Sequence, residues 1–309
     1  MEELTMADNE VNEIIQQEKE FGFARVYSVE LLYREKPLIN RELIYANMQR
    51  YTGNLDRPDA EKTELGDLAV WEANEKTEHD LLHFFHLNYM VQYEEGELPA
   101  QTSLMDSKYQ LSEKYNAALE QSWHWQEAEQ TLQHCQHSLL LVDMMASGLE
   151  PKKRLELFTG ALRAVLETVP CDAIYFRESD KLVEPQAYLN AIENGEILYG
   201  AMNVRFYNVQ GTGSERHECL MDTVGLAALG IPDLQCHFYD LTPNEVASFL
   251  MDLGYYLFNQ GDIINDGETV GFTEDMRWRC EHQYSLAAPE RVVIDLDPGD
   301  PHYAGRPGN

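Results

Sequence analysis

The chain has 309 residues, 44% of them hydrophobic, enough for a sizeable core and too many for a wholly disordered protein. Its 54 Asp plus Glu against 23 Lys plus Arg give a formal charge of −31. That field repels a phosphate backbone and argues against direct nucleic-acid binding.

Residues 1–20 are acid-rich, with Lys19 the single base, and read as a flexible arm. They lack the basic region and apolar block of a secretory signal, and no apolar run in the chain reaches the length of about 18 residues that a membrane span needs. A cytoplasmic protein with no membrane partner is expected. The β-branched and aromatic run from Arg25 to Pro37 reads as a strand. Asn40 then caps a helix in which Leu43, Ile44, Met48 and Tyr51 share a face and Gly53 supplies the stop.

Two further strands are expected over 67–73 (DLAVWEA) and from Leu81 to Gly96. From Leu111 to Gln133 the apolar spacing turns helical. Ser138 to Met145 is almost continuously apolar, as in a strand covered on both faces. Ser147 and Glu150 have capping-box spacing ahead of a helix over 152–169, whose Leu155, Phe158, Leu162, Val165 and Leu166 form a core-facing stripe. Pro170 ends that helix, and Cys171 opens another strand, completing a strand-helix-strand unit. The pattern repeats with strands over 196–209 and 235–241, a helix over 243–259, and strands at 266–271 and 291–298.

The expected fold is α+β, a mixed β-sheet with strand-helix-strand units and helices packed mainly on one face. One composite domain is expected over 21–297, with an internal joint near 210–214 (QGTGS), followed by a loose tail over 298–309.

The most distinctive segment is DTVGLAALGIPDLQCHF, which begins at Asp222, and the amphipathic stretch after it. Thr242, Pro243 and Glu245 there mark a helix start, the Thr hydroxyl and Glu carboxylate being placed to satisfy unpaired N–H groups. This run resembles the C-terminal part of a bacterial family catalogued as domain of unknown function 4261, most closely over 222–271. The same order of elements extends the resemblance to about 25–297. It implies a fold and no particular activity.

Candidate chemistry is sparse. Gly225 and Gly230 match neither GxGxxG nor a P-loop, so no nucleotide cofactor is expected. The glycines suit a tight turn, or a backbone surface that a ligand approaches, with Asp222, Thr223, Gly225, Gly230 and Asp233 as candidate binding residues. His79, His83 and His86 would converge on a helix but point apart on the expected strand, and HCQH at 134–137 lacks two further ligands, so no metal is expected. The cysteines, Cys135, Cys171, Cys219, Cys236 and Cys280, form no CxxC pair and fit reduced thiols. No GxSxG elbow is present, and Asp262, Asp266 and Glu268 lack EF-hand spacing. Asp266-Gly267 instead reads as a two-residue hairpin turn.

Charge and missing motifs together point to a non-catalytic protein-binding role, such as an immunity or inhibitor protein that neutralises a basic partner. Two alternatives stay open. One is an enzyme whose site assembles near 217–237 from His217, Asp222, His237 and Arg205; the other is a nucleic-acid mimic with ordered rows of carboxylates.

Overall fold

The computed structural model describes residues 16, 18–55, 81–94, 96–111, 113–209, 216–273 and 276–305. Most of the acidic arm, the expected strand 67–73, the joint at 210–214 and His79 lie outside them. The chain forms two compact units, one of Arg25–Ala201 and one of Met202–Asn309 together with Met1–Ala24. This differs from the single composite domain expected from sequence, because the strands sort into two separate sheets instead of one.

In the Arg25–Ala201 unit the strands are β1 (Ser28–Tyr33), β2 (Leu81–Tyr93), β3 (Gly96–Ser107), β4 (His137–Met144), β5 (Ala173–Phe176) and β6 (Lys181–Val183). They form a six-stranded sheet in the order β2-β3-β4-β1-β5-β6, and every pairing is antiparallel. β1 is buried along its whole length. Helix α1 (Arg41–Thr52) starts at Asn40, whose side chain accepts from the Leu43 N–H, and ends at Gly53, as expected. Of the face read from sequence, Ile44 and Met48 are buried whereas Leu43 is exposed.

The short helices α2 (Asn116–Glu120) and α3 (Ala128–His134) hold Tyr115, Ala118 and Leu132 in one apolar cluster with Leu32, Ala173 and Tyr175. Helix α4 (Pro151–Thr168) covers the other face, with Phe158 edge-on to Tyr27. A Cβ on Gly160 would stand 3.0 Å from the Tyr51 carbonyl oxygen, so glycine there lets α1 and α4 approach. The cap of α4 is Glu150 itself, accepting from Lys153 N–H, with Pro151 in the first turn. Ser147 is displaced from the cap because a proline at the first helical position fixes the start one residue after Glu150. β4 and β5 do lie in one sheet as expected, with β1 between them. Helix α5 (Pro185–Glu193) packs Tyr188 on Phe176.

The second unit contains β7 (Asn203–Asn208), β8 (Glu218–Val224), β9 (Asp233–Tyr239), helix α6 (Pro243–Gln260), β10 (Thr269–Gly271), β11 (Arg277–Tyr284) and β12 (Val292–Asp297). Its sheet runs β10-β11-β12-β9-β8-β7 and is mixed, β9 and β12 pairing in parallel. Residues 197–201 form a turn, so the strand expected from Glu196 begins only at Asn203. Helix α6 buries Val246, Leu250, Leu253, Leu257 and Phe258 at helical spacing and packs against β7, β8 and β9. Its N-terminus corrects the sequence reading, since the Thr242 side chain makes no capping bond. The Thr242 carbonyl instead accepts from the Glu245 and Val246 N–H groups.

Both units share a strand order. A strand, a helix and three further strands are arranged so that the last pairs with the first, β1 with β4 and β9 with β12. The pairing is antiparallel in the first case and parallel in the second.

Candidate functional site

Strand alternation sends Arg205, Asp222, Glu218, Gln235, His237 and Asp295 to the face of the second sheet opposite α6. All are polar and all are buried. Buried charge must be paired. Arg205 donates Nε to Asp222 at 2.9 Å and Nη1 to the Ala288 carbonyl at 2.8 Å. Arg291 donates Nη2 to Asp222 at 2.9 Å and Nε to Asp233 at 3.0 Å, and its guanidinium also meets the carbonyls of Thr223, Ala287 and Pro289. The fork geometry of arginine suits this many acceptors where a lysine would not.

Asp233 organises the DTVGLAALGIPD loop. Its carboxylate accepts from the Thr223 hydroxyl at 2.9 Å and from the backbone N–H of Gly225, Leu226 and Ala227 at 3.3, 3.1 and 3.3 Å. A run of converging N–H groups is the arrangement that elsewhere cradles an anion. Here the anion is the protein's own side chain, so the loop is filled from within. Gly225 has φ +124°, a region closed to side-chain-bearing residues, which places glycine there for backbone reasons. Gly230 follows the short 3₁₀ turn Ala227–Leu229 in the left-handed conformation.

Of the four residues proposed from sequence as catalytic, Asp222 and Arg205 pair, whereas His217 and His237 are engaged elsewhere. His237 bridges Glu218 Oε1 at 2.9 Å and the Gly305 carbonyl at 2.7 Å, and Tyr239 donates to the other Glu218 oxygen. His217 sits instead against Cys219, with Nδ1 3.2 Å from Sγ. Asp222 pairs with Arg205 and also with Arg291. All five thiols have pKa values raised by burial, Cys135, Cys219 and Cys280 to about 11, whereas a thiol nucleophile needs a lowered one. His83 and His86 point to opposite faces of β2 as expected, His83 to Ser103 and Gln101, His86 to Thr52 and Thr102. Among the described residues no group of three or more His, Cys, Asp or Glu side chains is placed to hold a metal ion.

The open surface lies elsewhere. A groove of about 750 Å³ runs between α6 and β10, lined by Phe249, Asp252, Leu253, Tyr256, Ile263 and Glu268 among others. Tyr256 and Ile263 are 47% and 48% exposed, high for large apolar side chains. The groove's floor is firm, since Phe249 packs edge-on against Trp278, which stacks on Phe272. Asp266 and Gly267 turn the chain into β10, with Glu268 N–H donating to the Asn265 carbonyl at 3.0 Å. This corrects the hairpin expectation, because no strand precedes the turn.

The wall from Gly261 to Glu268 is tied to β11 by His282. Its Nδ1 lies 2.8 Å from Asp266 and its Nε2 3.2 Å from Asp262. Burial opposes charge on this imidazole, but the bond to Asp266 and the charge of Asp262 prevail and raise its pKa. The His282 backbone N–H also donates to Asp266 at 2.7 Å and holds that carboxyl below its usual range. Sequence reasoning missed this groove, although RWRCEHQY at 277–284 carries a readable signal in its alternation of exposed Arg with buried Trp278 and Cys280.

The fold and its internally satisfied polar face define an α+β protein with a mixed sheet. Residues 222–297 match the family described as Domain of unknown function (DUF4261), from the end of β8 through β12. No curated protein and no solved structure matches the chain. Among the described residues no helix is long and apolar enough to cross a membrane.

Proposed function

We propose that the protein is a non-catalytic, cytoplasmic binding protein that neutralises or regulates a basic protein partner, in the manner of an immunity or inhibitor protein. The observation that carries this reading is the charge of −31 and where the cations go. Arg154, Arg205 and Arg291 are buried against Asp143, Asp222 and Asp233. Each of these cations is balanced by an equally buried carboxylate, so the pairs cancel and leave the net charge of −31 undiminished. Such a field attracts a cationic protein from a distance, speeds encounter and disfavours acidic competitors. The enzyme reading loses support because three of its candidates, Arg205, Asp222 and His237, are buried and committed to internal hydrogen bonds.

The test is affinity capture from a lysate of the native host at low and high salt, followed by reconstitution from purified components. A basic protein bound one to one, with an association rate that falls as ionic strength rises, supports the reading. A neutral or acidic partner, or binding indifferent to salt, counts against it.

A further inference from the structure

We propose that the outer edge of β10, with the groove between it and α6, takes up an extended basic segment of a partner protein as an added strand. This rests on the basic-partner reading above and gives it a place and a geometry.

β10 is the terminal strand of its sheet, and among the described residues no strand pairs with its outer side. The direction of its free groups follows from the ladder. Cys280 N–H donates to the Glu268 carbonyl at 2.8 Å, and the register pairs Thr269 with Arg279, Val270 with Trp278 and Gly271 with Arg277. In an antiparallel ladder alternate residues bond inward. Glu268 and Val270 therefore face β11, and the backbone N–H and C=O groups of Thr269 and Gly271 point outward. Thr269 and Gly271 are both exposed. An edge of this kind is a template for another chain.

A helix beside an open edge strand makes the groove used in strand addition, where backbone bonds supply affinity and pockets for alternate side chains supply selection. Every second side chain of an added strand would fall on the α6 side, against Phe249, Leu253, Tyr256 and Ile263, which line the groove. Asp252 and Glu268 line the same groove, and among the described residues no Lys or Arg lines it. The segment that fits is therefore extended, apolar at alternate positions and rich in Lys or Arg. A second copy of this chain is a poor occupant, because two surfaces of the same acidic sign would be brought together.

The experiment is selection of a display library of random twelve-residue peptides on the full chain, with hydrogen exchange on the complexes. Two variants accompany it. Thr269→Pro removes an outward N–H without touching the bonds to β11, and Asp252→Asn with Glu268→Gln removes the groove's charge while keeping its shape. Expected are peptides alternating apolar and basic residues, slowed exchange at the Thr269 and Gly271 amides, and binding at least about tenfold weaker to each variant.

Basic peptides that bind Thr269→Pro as well as wild type would overturn the strand-addition site while leaving the basic-partner reading intact. Neutral or acidic peptides that protect the Thr269 amide would do the reverse. No enrichment over bare support would overturn the site, and so would a dimer of this chain abolished by Thr269→Pro.

Discussion

Asp233→Asn tests whether the loop after β8 is built around an internal anion. The carboxylate receives five donors, the Thr223 hydroxyl, the Gly225, Leu226 and Ala227 amides, and Arg291 Nε. An asparagine amide offers acceptor lone pairs on one side only. Turning its NH₂ toward Thr223 is the less costly choice, because that hydroxyl can also accept, as it already does from Leu234 N–H at 2.9 Å. Leu226 N–H is then orphaned, at a cost of about 1–3 kcal/mol.

The lost charge matters more. Arg205 and Arg291 would be left to share Asp222, and breaking a buried pair from one side costs about 3–5 kcal/mol. The two effects overlap, so the expected destabilisation is about 3–5 kcal/mol for the second unit. Trp278 is fully buried there and is the one tryptophan in the sequence of this unit. Fluorine NMR of 5-fluorotryptophan protein in urea therefore follows this unit by itself. A midpoint shift worth less than about 1 kcal/mol would refute the argument, since two guanidinium groups cannot rest on one buried carboxylate so cheaply.

Helix caps offer a paired comparison: Asn40→Ala should cost about 1 kcal/mol by loss of the bond to Leu43 N–H, and Thr242→Ala less than about 0.5 kcal/mol. Equal thermal shifts in the two variants would contradict the capping geometry. Gly225→Val should cost about 1–3 kcal/mol at φ +124°, and an unchanged melting temperature would show that the loop relaxes freely. His86 is buried between Thr52 and Thr102, and burial lowers its pKa from 6.5 to about 3. The unfolded chain then binds the extra proton between those values, so this contribution is intact above pH 6.5 and shrinks as pH falls, by about 3 kcal/mol near pH 4. His86→Gln should flatten that acid limb, and an identical pH profile would remove the assignment. His282, with a raised pKa, holds the groove wall below pH 6.5 and releases it as pH rises through its folded value. Asp266, with a lowered pKa, holds above pH 3.8 and lets go as pH falls through its folded value. Exchange of the His282 amide should therefore be slowest, relative to its intrinsic rate, between these limits, and a pH-independent protection factor would refute the latch.

What the sequence disclosed depended on how local the determining contacts are. Asn40, Gly53 and the stripes of α4 and α6 act within a few residues, and those elements fall where expected. β3 escaped because its run GELPAQTSLMDS contains a proline and little apolar character, and it is recruited by pairing with β2 and β4. β8 is buried throughout, yet it carries Glu218 and Asp222, and the groups that make this tolerable, His237 and Arg291, come from β9 and from just ahead of β12. Asp222, Thr223 and Asp233 consequently looked like a ligand surface, for polar residues in an apolar run are unexplained until a partner almost seventy residues away is known. The 201/202 division was hidden for a related reason, since no change of composition marks the point where pairing passes from one sheet to the other.

The way the second sheet disposes of its polar groups limits where a partner can engage it. One face is taken by α6. The opposite face is closed by main chain from two later segments: Leu286 N–H and the Ala288 carbonyl meet Gln235 and Arg205, while Tyr239 N–H donates to the His302 carbonyl and Ala304 N–H to the His237 carbonyl. A partner reaching that face would have to displace these bonds and expose paired charges, at several kcal/mol. Among the described residues the sheet edges escape this cost, and they differ. β7 is buried over its first half, whereas β10 is exposed at Thr269 and Gly271 beside the groove. An open edge usually endangers a protein by inviting its own copies, and natural edges are commonly blunted with charge. Carboxylates in place of lysines blunt this edge against an acidic copy while leaving it attractive to a cationic strand. The charge that keeps the protein from itself would then be the charge that selects its partner.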